Sequence, residues 1–416
     1  MQYPLPLLPL LVSTNTDVVK YATGCIGMFC SRIPCDTLPI PALFVIIQAL
    51  VSNMTSIDAE TQIATLSALI SLSSIQEVHA HLHTLRYIDN LAMLIRRTTG
   101  SKDVRPLVEF AIRVMLQGSF EKSIEELTSI SKRTPDFLCM LLRHPTHSRT
   151  KSDRFLVDFY LLIGYLVQSK ELIQMVWEND RTVMLEGISF GRRVLESDAC
   201  ASRESKFAFA SFIVELGNSF AGLNWADASF SFIKGVQLQL QCAAFVLKEI
   251  TERNNFPYFT LYQTKFEAQR HLAGLQLKAA LLLRRASIHL KEAPKGRPEN
   301  WSSFEYVARD FVLPCIVSVF EEKLWPYRED ICRGHALQII EATIVTLNRL
   351  LSQHILAYGA LDVVFPGLLE ISSLAFKACL ALHEEHANSM LKKTPCKYSA
   401  KRIQTMESTT TCQAIL

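Results

Sequence analysis

The stretch LPLLPLLVSTNTDVVKYATGCIGMFC, residues 5–30, contains two apolar runs separated by a short polar break. In the second run, apolar residues recur at positions i, i+4, i+7 and i+11: Val18, Ala22, Cys25 and Phe29. That spacing places them on one face of an α-helix. The polar break ends in Asp17, whose carboxylate can accept hydrogen bonds from the free N–H groups at a helix start. The stretch therefore predicts a helix over residues 4–12, a connection and a second helix.

The same pattern recurs through the first half of the chain. A triplet of a polar residue, a bulky apolar residue and Ala appears four times, and the triplet at residues 158–160 keeps its first two features. The third position of each triplet, here called the marker residue, falls at Ala22, Ala64, Ala111, Tyr160 and Ala208. The pattern apolar-x-x-Leu-apolar, here called the leucine motif, starts at Leu7, Ile47, Leu91 and Leu138. The sequence therefore predicts a repeat of 42–49 residues with two principal helices and a short connection.

Neighbouring repeats have to stack, because a two-helix unit cannot bury its apolar face alone. With only 15 Gly and 16 Pro among 416 residues, the chain also lacks the turn residues that sandwiches, barrels and propellers need. These observations predict an all-α chain folded as an α-solenoid. An apolar first unit leaves one face of the stack uncovered. We therefore expect Leu5, Leu8 and Leu11 to be partly exposed, or covered by a partner or a second copy.

Residues 5–30 resemble the last two helices of an armadillo repeat. The resemblance to the armadillo/HEAT family extends over about residues 1–215. Beyond them it continues as general helical patterning, with one further similar stretch at residues 360–369. It implies a right-handed solenoid that acts as a non-enzymatic protein–protein interaction scaffold or adaptor. In that family, partner segments bind on the concave surface of the solenoid.

Composition divides the chain into four parts. We expect an armadillo-like array over residues 1–290, a linker or loop over 291–300, further helical repeats over 301–389 and a disordered, basic Ser/Thr-rich tail over 390–416. The linker KEAPKGRPEN carries two prolines and one glycine, which interrupt helical patterning.

Charge and cysteine usage narrow the class of protein. The net charge of +3 gives no overall electrostatic reason to expect an anionic membrane as partner. For the same reason, we do not expect nucleic acid as a partner. No apolar run reaches the roughly 20 residues that span a bilayer. The 11 cysteines are scattered and odd in number, which favours a reducing compartment, cytoplasm or nucleus, over a disulfide scaffold.

Motifs that carry catalytic chemistry are missing. The chain contains neither a phosphate-binding G-x-x-x-x-G-K-[ST] loop, nor G-x-G-x-x-G, nor a G-x-S-x-G nucleophile elbow. His79 and His83 are four residues apart, so they could coordinate a zinc ion from one helix face, but the sequence indicates no third ligand. We therefore expect no enzymatic activity, no cofactor and no metal.

Helix positions −1, +2 and +6 relative to each marker residue form one face. The resemblance implies that this face lines the concave groove. The predicted partner-binding residues on it are Tyr21, Met28, Ile63, Ile70, Phe110, Arg113, Gln117 and Phe207. The importin alpha subfamily places a Trp and an Asn four apart here, whereas this chain has Gly24 and Met28, which disfavours a nuclear-signal receptor of that kind. A mainly apolar column suits an amphipathic partner helix; the alternative is that it packs within the solenoid.

A second candidate surface lies on the helix predicted over residues 270–290. Its basic residues Lys278, Arg284 and Arg285 lie opposite an apolar stripe and could hold phosphates or an acidic partner. An alternative function is therefore a helical-repeat protein related to nucleic-acid binding or nuclear transport. Arg284-Arg285-Ala286-Ser287 also matches a basophilic kinase site, so Ser287 is a phosphorylation candidate that would need local opening of the helix.

Overall fold

The computed structural model describes thirteen ranges of the chain and five single residues. These are residues 5–32, 40–56, 58–72, 76–98, 105–117, 120–134, 136–147, 153–196, 201–219, 232–252, 265–288, 304–320 and 333–353, with the single residues 355, 362, 364, 366 and 369. Every regular element in these ranges is helical, so the prediction of an all-α chain is confirmed there. None of the helices described combines the length and apolarity that crossing a bilayer requires.

The chain divides into two compact units. The first comprises Met1–Leu223 with Pro257–Ala268, and the second comprises Asn224–Phe256 with Gln269–Leu416. The linker and tail expected over residues 291–300 and 390–416 lie outside the described residues. The predicted division into an array, a linker, further repeats and a tail therefore stays a prediction.

The first unit begins with a 3₁₀ helix, Leu5–Val12, that contains Pro9. It continues with α1 Thr16–Arg32, α2 Ile40–Asn53, α3 Ala59–Leu72, α4 Gln76–Thr84, α5 Tyr87–Thr98, α6 Arg105–Gln117, α7 Phe120–Arg133, α8 Asp136–His147, α9 Asp153–Leu166, α10 Lys170–Glu196 and α11 Arg203–Ser219. The expected exposure of Leu11 is wrong, because Leu11 is buried while Leu10 and Val12 are exposed. A 3₁₀ helix has three residues per turn, so Leu8 and Leu11 share one face.

The marker residues identify the helices that stack. They lie on α1, α3, α6, α9 and α11, and each of these helices packs against the next. Among the helices that carry the leucine motif, the 3₁₀ helix contacts α2, and α5 contacts α8. The repeat predicted from the sequence is therefore the stacking unit of the first half of the chain.

The structure adds a third helix to each repeat after the second marker helix. The helices α4 and α7 precede α5 and α8. The corresponding pair in the next repeat is formed by α10, which bends at Asp180, where φ is −157° and ψ is 81°. The Asp180 carboxylate accepts a hydrogen bond from Thr182 Oγ1 at 2.6 Å and pairs with Arg143. Two helices and a connection were therefore too few, because α4 has few apolar positions to reveal its period.

Polar contacts join successive repeats at separations close to one period. His83 Nδ1 lies 2.8 Å from Glu126 Oε1, 43 residues later, and Arg133 Nη2 donates to Asp89 Oδ1 at 3.1 Å across 44 residues. Ser202 N donates to Asp153 Oδ1 at 3.0 Å across 49 residues. These contacts fix the register in which one repeat meets the next.

The second unit contains three helices of 20 residues or more among its described residues. They are α12 Phe232–Glu252, α13 Lys265–Ile288 (whose first four residues belong to the first unit), a π-helical segment Ala308–Val312, α14 Leu313–Phe320 and α15 Arg333–Ser352. The apolar stripe predicted on α13 is buried at Leu275, Ala279, Leu282, Leu283 and Ala286. α12 packs on α14, and α14 packs on α15.

We predict that Gly191→Ala destabilises the first unit. A Cβ atom at Gly191 would overlap the buried ring of Phe209 and lie 2.8 Å from the Tyr160 hydroxyl, and Phe209 is packed too tightly to move. Overpacking of this kind costs about 1–3 kcal/mol of unfolding free energy. Gly24→Ala is the matched control, because a Cβ there meets nothing within 4 Å. Ala in place of a helical Gly should stabilise by up to about 1 kcal/mol. Urea unfolding measures the unfolding free energy of Gly191→Ala and of Gly24→Ala. Equal stability of the two variants would contradict the prediction.

We predict that the second unit loses stability in mild acid because of His271 on α13. Burial lowers the pKa of His271 to about 4, with a smaller contribution from Lys278. Between its ordinary value of 6.5 and about 4, the unfolded chain binds a proton that the folded chain does not. Unfolding free energy should therefore fall by up to about 3 kcal/mol as pH drops through this window. In His271→Gln, urea unfolding followed against pH should lack that component; an unchanged pH profile would rule His271 out as its source.

Candidate functional site

Five of the predicted partner-binding residues lie on α3 and α6, and two lie on α1. Tyr21 and Met28 on α1 are 67% and 57% exposed, which is high for large apolar side chains. Their counterparts Ile63, Ile70 and Phe110 are half-buried, as is Arg113, which occupies the position of Gly24. Because α1, α3 and α6 stack in order and these residues occupy equivalent positions, they follow one side of the stack. We call this surface the α1–α3–α6 face. The side chain of Gln117 lies outside the described residues.

Open space separates the two exposed apolar side chains on α1. A Cβ atom added at Gly24 would meet no atom within 4 Å, and Cys25 beside it is exposed. Tyr21, Gly24 and Met28 are spaced by three and four residues, so they form a continuous strip along one helix face. The strip offers two apolar side chains with a gap between them.

The charged groups beside this strip are paired with each other. Lys20 on α1 pairs with Glu60 on α3, and this hydrogen bond is the main cause that raises the pKa of Lys20. The Lys20 Nζ atom also lies 5.4 Å from the centre of the Tyr21 ring. The strip therefore leaves its apolar atoms, rather than a free charge, available to a partner.

A buried carboxylate marks the end of the face at α6. Asp158 on α9 is only 2% exposed; its Oδ1 lies 3.2 Å from Arg154 Nε, and its Oδ2 lies 3.9 Å from Arg113 Nε. Burial raises the pKa of Asp158, although both arginines act in the opposite direction. Sequence reasoning counted Asp158 only as the polar member of a triplet and missed its contact with Arg113. The spacing of 45 residues between the two, one repeat, was the available signal.

On α9 and α11, the residues at the predicted partner-binding positions −1, +2 and +6 are buried. Phe159, Leu162 and Leu166 on α9 are buried, as are Phe207, Ala210 and Val214 on α11. The prediction that Phe207 is partly exposed is wrong, since only 3% of it is exposed. All residues of α9 from Phe155 to Leu166 are buried. A helix that is apolar all round is a buried helix, and that signal was present in the sequence of α9.

The histidine cluster on α4 serves packing and pairing. His83 pairs with Glu126 and meets the ring of Tyr87 edge-on, and His81 stacks on Phe44 with 4.2 Å between ring centres. Among the described residues, no group of three or more His, Cys, Asp and Glu side chains could hold a metal ion. The side chain of His79 lies outside the described residues.

The three residues of the predicted basic surface on α13 are half-buried. Arg284 Nη1 lies 3.0 Å from Glu341 Oε1 on α15, while Lys278 and Arg285 are half-buried on the same helix. Ser287 is fully buried, as expected for a residue that needs local opening before it can be modified. The guanidinium of Arg284 is thus engaged within the second unit.

Comparison with known proteins gives structural likeness at low sequence identity. No protein-family model matches the chain, and no curated protein matches it. Solved structures similar to it include a designed armadillo repeat protein at 15% identity and a TM-score of 0.44, covering 68% of this chain and 100% of that one. Another is a designed armadillo repeat protein in complex with the peptide (KR)4, at 13% identity and a TM-score of 0.42, covering 68% and 100%. An engineered protein covers 100% of this chain and 99% of its own, at 14% identity and a TM-score of 0.39.

We predict that Phe207→Ala strongly lowers stability and that Tyr21→Ala leaves it almost unchanged. Phe207 is buried on α11, so its truncation should cost about 3–5 kcal/mol of unfolding free energy. Tyr21 is exposed on α1, so its truncation should change stability by about 0.5 kcal/mol or less. Thermal unfolding of the two variants checks this. A small effect at Phe207 would mean that α11 is not packed as described.

Proposed function

We propose that this chain is a non-enzymatic protein-interaction scaffold that binds an apolar segment of a partner protein on the α1–α3–α6 face. The observation that carries the proposal is the exposed pair Tyr21 and Met28, separated by open space at Gly24. Clustered apolar exposure on a protein surface is typical of interaction sites. A preformed helical surface also loses little conformational entropy on binding.

The chemistry of the face supports an amphipathic helix as the partner segment. Lys20 pairs with Glu60, and Arg113 lies beside Asp158, so the charges at both ends of the face are balanced within the chain. A partner therefore gains most by presenting apolar side chains to Tyr21, Met28 and the half-buried residues of α3 and α6. Packed helices lie roughly 8–10 Å apart, so the face extends about 20 Å from α1 to α6. An α-helix of about 13 residues covers that length.

The proposed setting is a reducing compartment, cytoplasmic or nuclear. Four of the cysteines in the described ranges are free: Cys25, Cys139, Cys242 and Cys315. Cys139, Cys242 and Cys315 are buried, where cysteine acts as a small apolar side chain. This use of cysteine supports an environment that keeps thiols reduced.

The test is selection of peptide ligands followed by variants of the face. The full chain is panned against a displayed library of 16-residue amphipathic helical peptides, and the selected peptides are measured against variants. We expect selected peptides with an apolar stripe and a dissociation constant that Tyr21→Ala with Met28→Ala raises by about 30-fold or more. Bound peptide should also slow alkylation of Cys25, which is exposed on the same helix.

The matched control removes exposed apolar side chains elsewhere. Val45 on α2 and Met93 on α5 are exposed but lie off the face, so Val45→Ala with Met93→Ala should leave peptide affinity unchanged. Equal weakening by both double variants would contradict the proposed face. Nucleic-acid binding that falls steeply with salt and disappears in Arg284→Gln with Arg285→Gln would support the alternative function instead.

A further inference from the structure

Ser287 closes the last turn of α13 against α15 and plays no part in the proposed partner face. Its Oγ donates to the carbonyl oxygen of Arg284 at 2.7 Å and accepts from Arg349 Nη1 at 2.9 Å. Arg349 Nη1 also donates to the carbonyl oxygen of Arg284 at 2.6 Å. One guanidinium from α15 therefore contacts both the Arg284 carbonyl oxygen and the buried serine of the final turn. We call this set of contacts the Arg349 latch.

The Arg349 guanidinium contacts this hydroxyl group, and Arg284 belongs to the same helical turn. Arg284 pairs with Glu341 at 3.0 Å, so two guanidinium groups and one carboxylate surround the last turn of α13. Burial, with a smaller contribution from Arg284, lowers the pKa of Arg349. The cluster therefore carries an excess of positive charge in a partly desolvated place. A phosphate group on Ser287 would form charge-assisted hydrogen bonds with Arg349, whose guanidinium contacts the hydroxyl.

We propose that Ser287 is a cryptic phosphorylation site for a protein kinase that recognises arginines two and three residues before the serine, and that the Arg349 latch controls access to it. The arginines are Arg285 and Arg284. In the reaction, the Ser287 Oγ atom attacks the γ-phosphorus of ATP. An O–P bond forms, the bond from that phosphorus to the β,γ-bridging oxygen breaks, ADP leaves and the hydroxyl proton passes to the kinase's base.

Access depends on opening a helix end rather than the whole unit. Ser287 is the second-last residue of α13, and Ile288 after it is exposed. Helix ends open at lower free-energy cost than the cores to which they belong. The contacts from Arg349 oppose that opening, and hydrogen bonds to charged groups are among the stronger ones. Loss of the latch should therefore raise the open fraction more than a comparable defect elsewhere.

The experiment measures phosphorylation of Ser287 by mass spectrometry. The full chain, its variants and a peptide of residues 281–294 are incubated with ATP and a purified kinase of R-R-x-S specificity, well below the melting temperature of each chain. We expect rapid labelling of the peptide and slow labelling of the native chain. In Arg349→Met the initial rate should rise by about tenfold or more, the effect of removing a charged hydrogen bond from an opening equilibrium.

Two controls separate the latch from general destabilisation. Thr346→Ala removes a buried hydroxyl on α15 that bonds only within its own helix, to Ala342, and it should leave the rate near that of the native chain. Ser287→Ala should abolish labelling at this position. If the peptide were not labelled, the kinase motif would be overturned. If the peptide were labelled but neither the native chain nor Arg349→Met were, the cryptic site would be overturned. Equal acceleration by Thr346→Ala and Arg349→Met would overturn the latch.

Discussion

Packing of each marker helix against the next is the interaction on which the first unit depends. The backbones approach closely where one helix carries a small residue. A Cβ atom at Gly27 on α1 would lie 3.4 Å from the Cα of Ala68 on α3, and one at Gly164 on α9 would lie 3.5 Å from the Cα of Phe212 on α11. Since no repeat buries its apolar face alone, these contacts determine the register of the polar pairs between repeats and the side on which the α1–α3–α6 face lies.

Along the same stack, the marker helices change from half-exposed to fully buried. α1 presents Tyr21 and Met28 to solvent, whereas α9 is buried on every side. Asp158 lies at the transition, buried on α9 yet within 3.9 Å of the half-buried Arg113 on α6. A buried carboxylate is tolerated only with positive partners, so this contact is the polar boundary between the open and closed parts of the column.

In the second unit, basic residues that look like a binding surface have intramolecular partners. The Arg284 side chain reaches Glu341, and its carbonyl oxygen accepts a hydrogen bond from Arg349. Cations near a helix C-terminus stabilise the free carbonyl groups there. The same arrangement that ends α13 also places the Arg349 guanidinium against the Ser287 hydroxyl, so one set of contacts can serve both stability and control of modification.

The sequence alone determined the helical class, the repeat of 42–49 residues and the stripe on α13, because each depends on local spacing of apolar residues. The full burial of α9 was also predictable from its composition. Three features required the tertiary structure: the bend at Asp180, the pairing of Arg113 with Asp158, and the contact of Arg349 with Ser287. Periodicity reports which face of a helix is apolar, but it does not report what covers that face. Phe110 and Phe207 occupy equivalent positions in the repeat, and only the packing around them decides that the first is half-buried and the second is core.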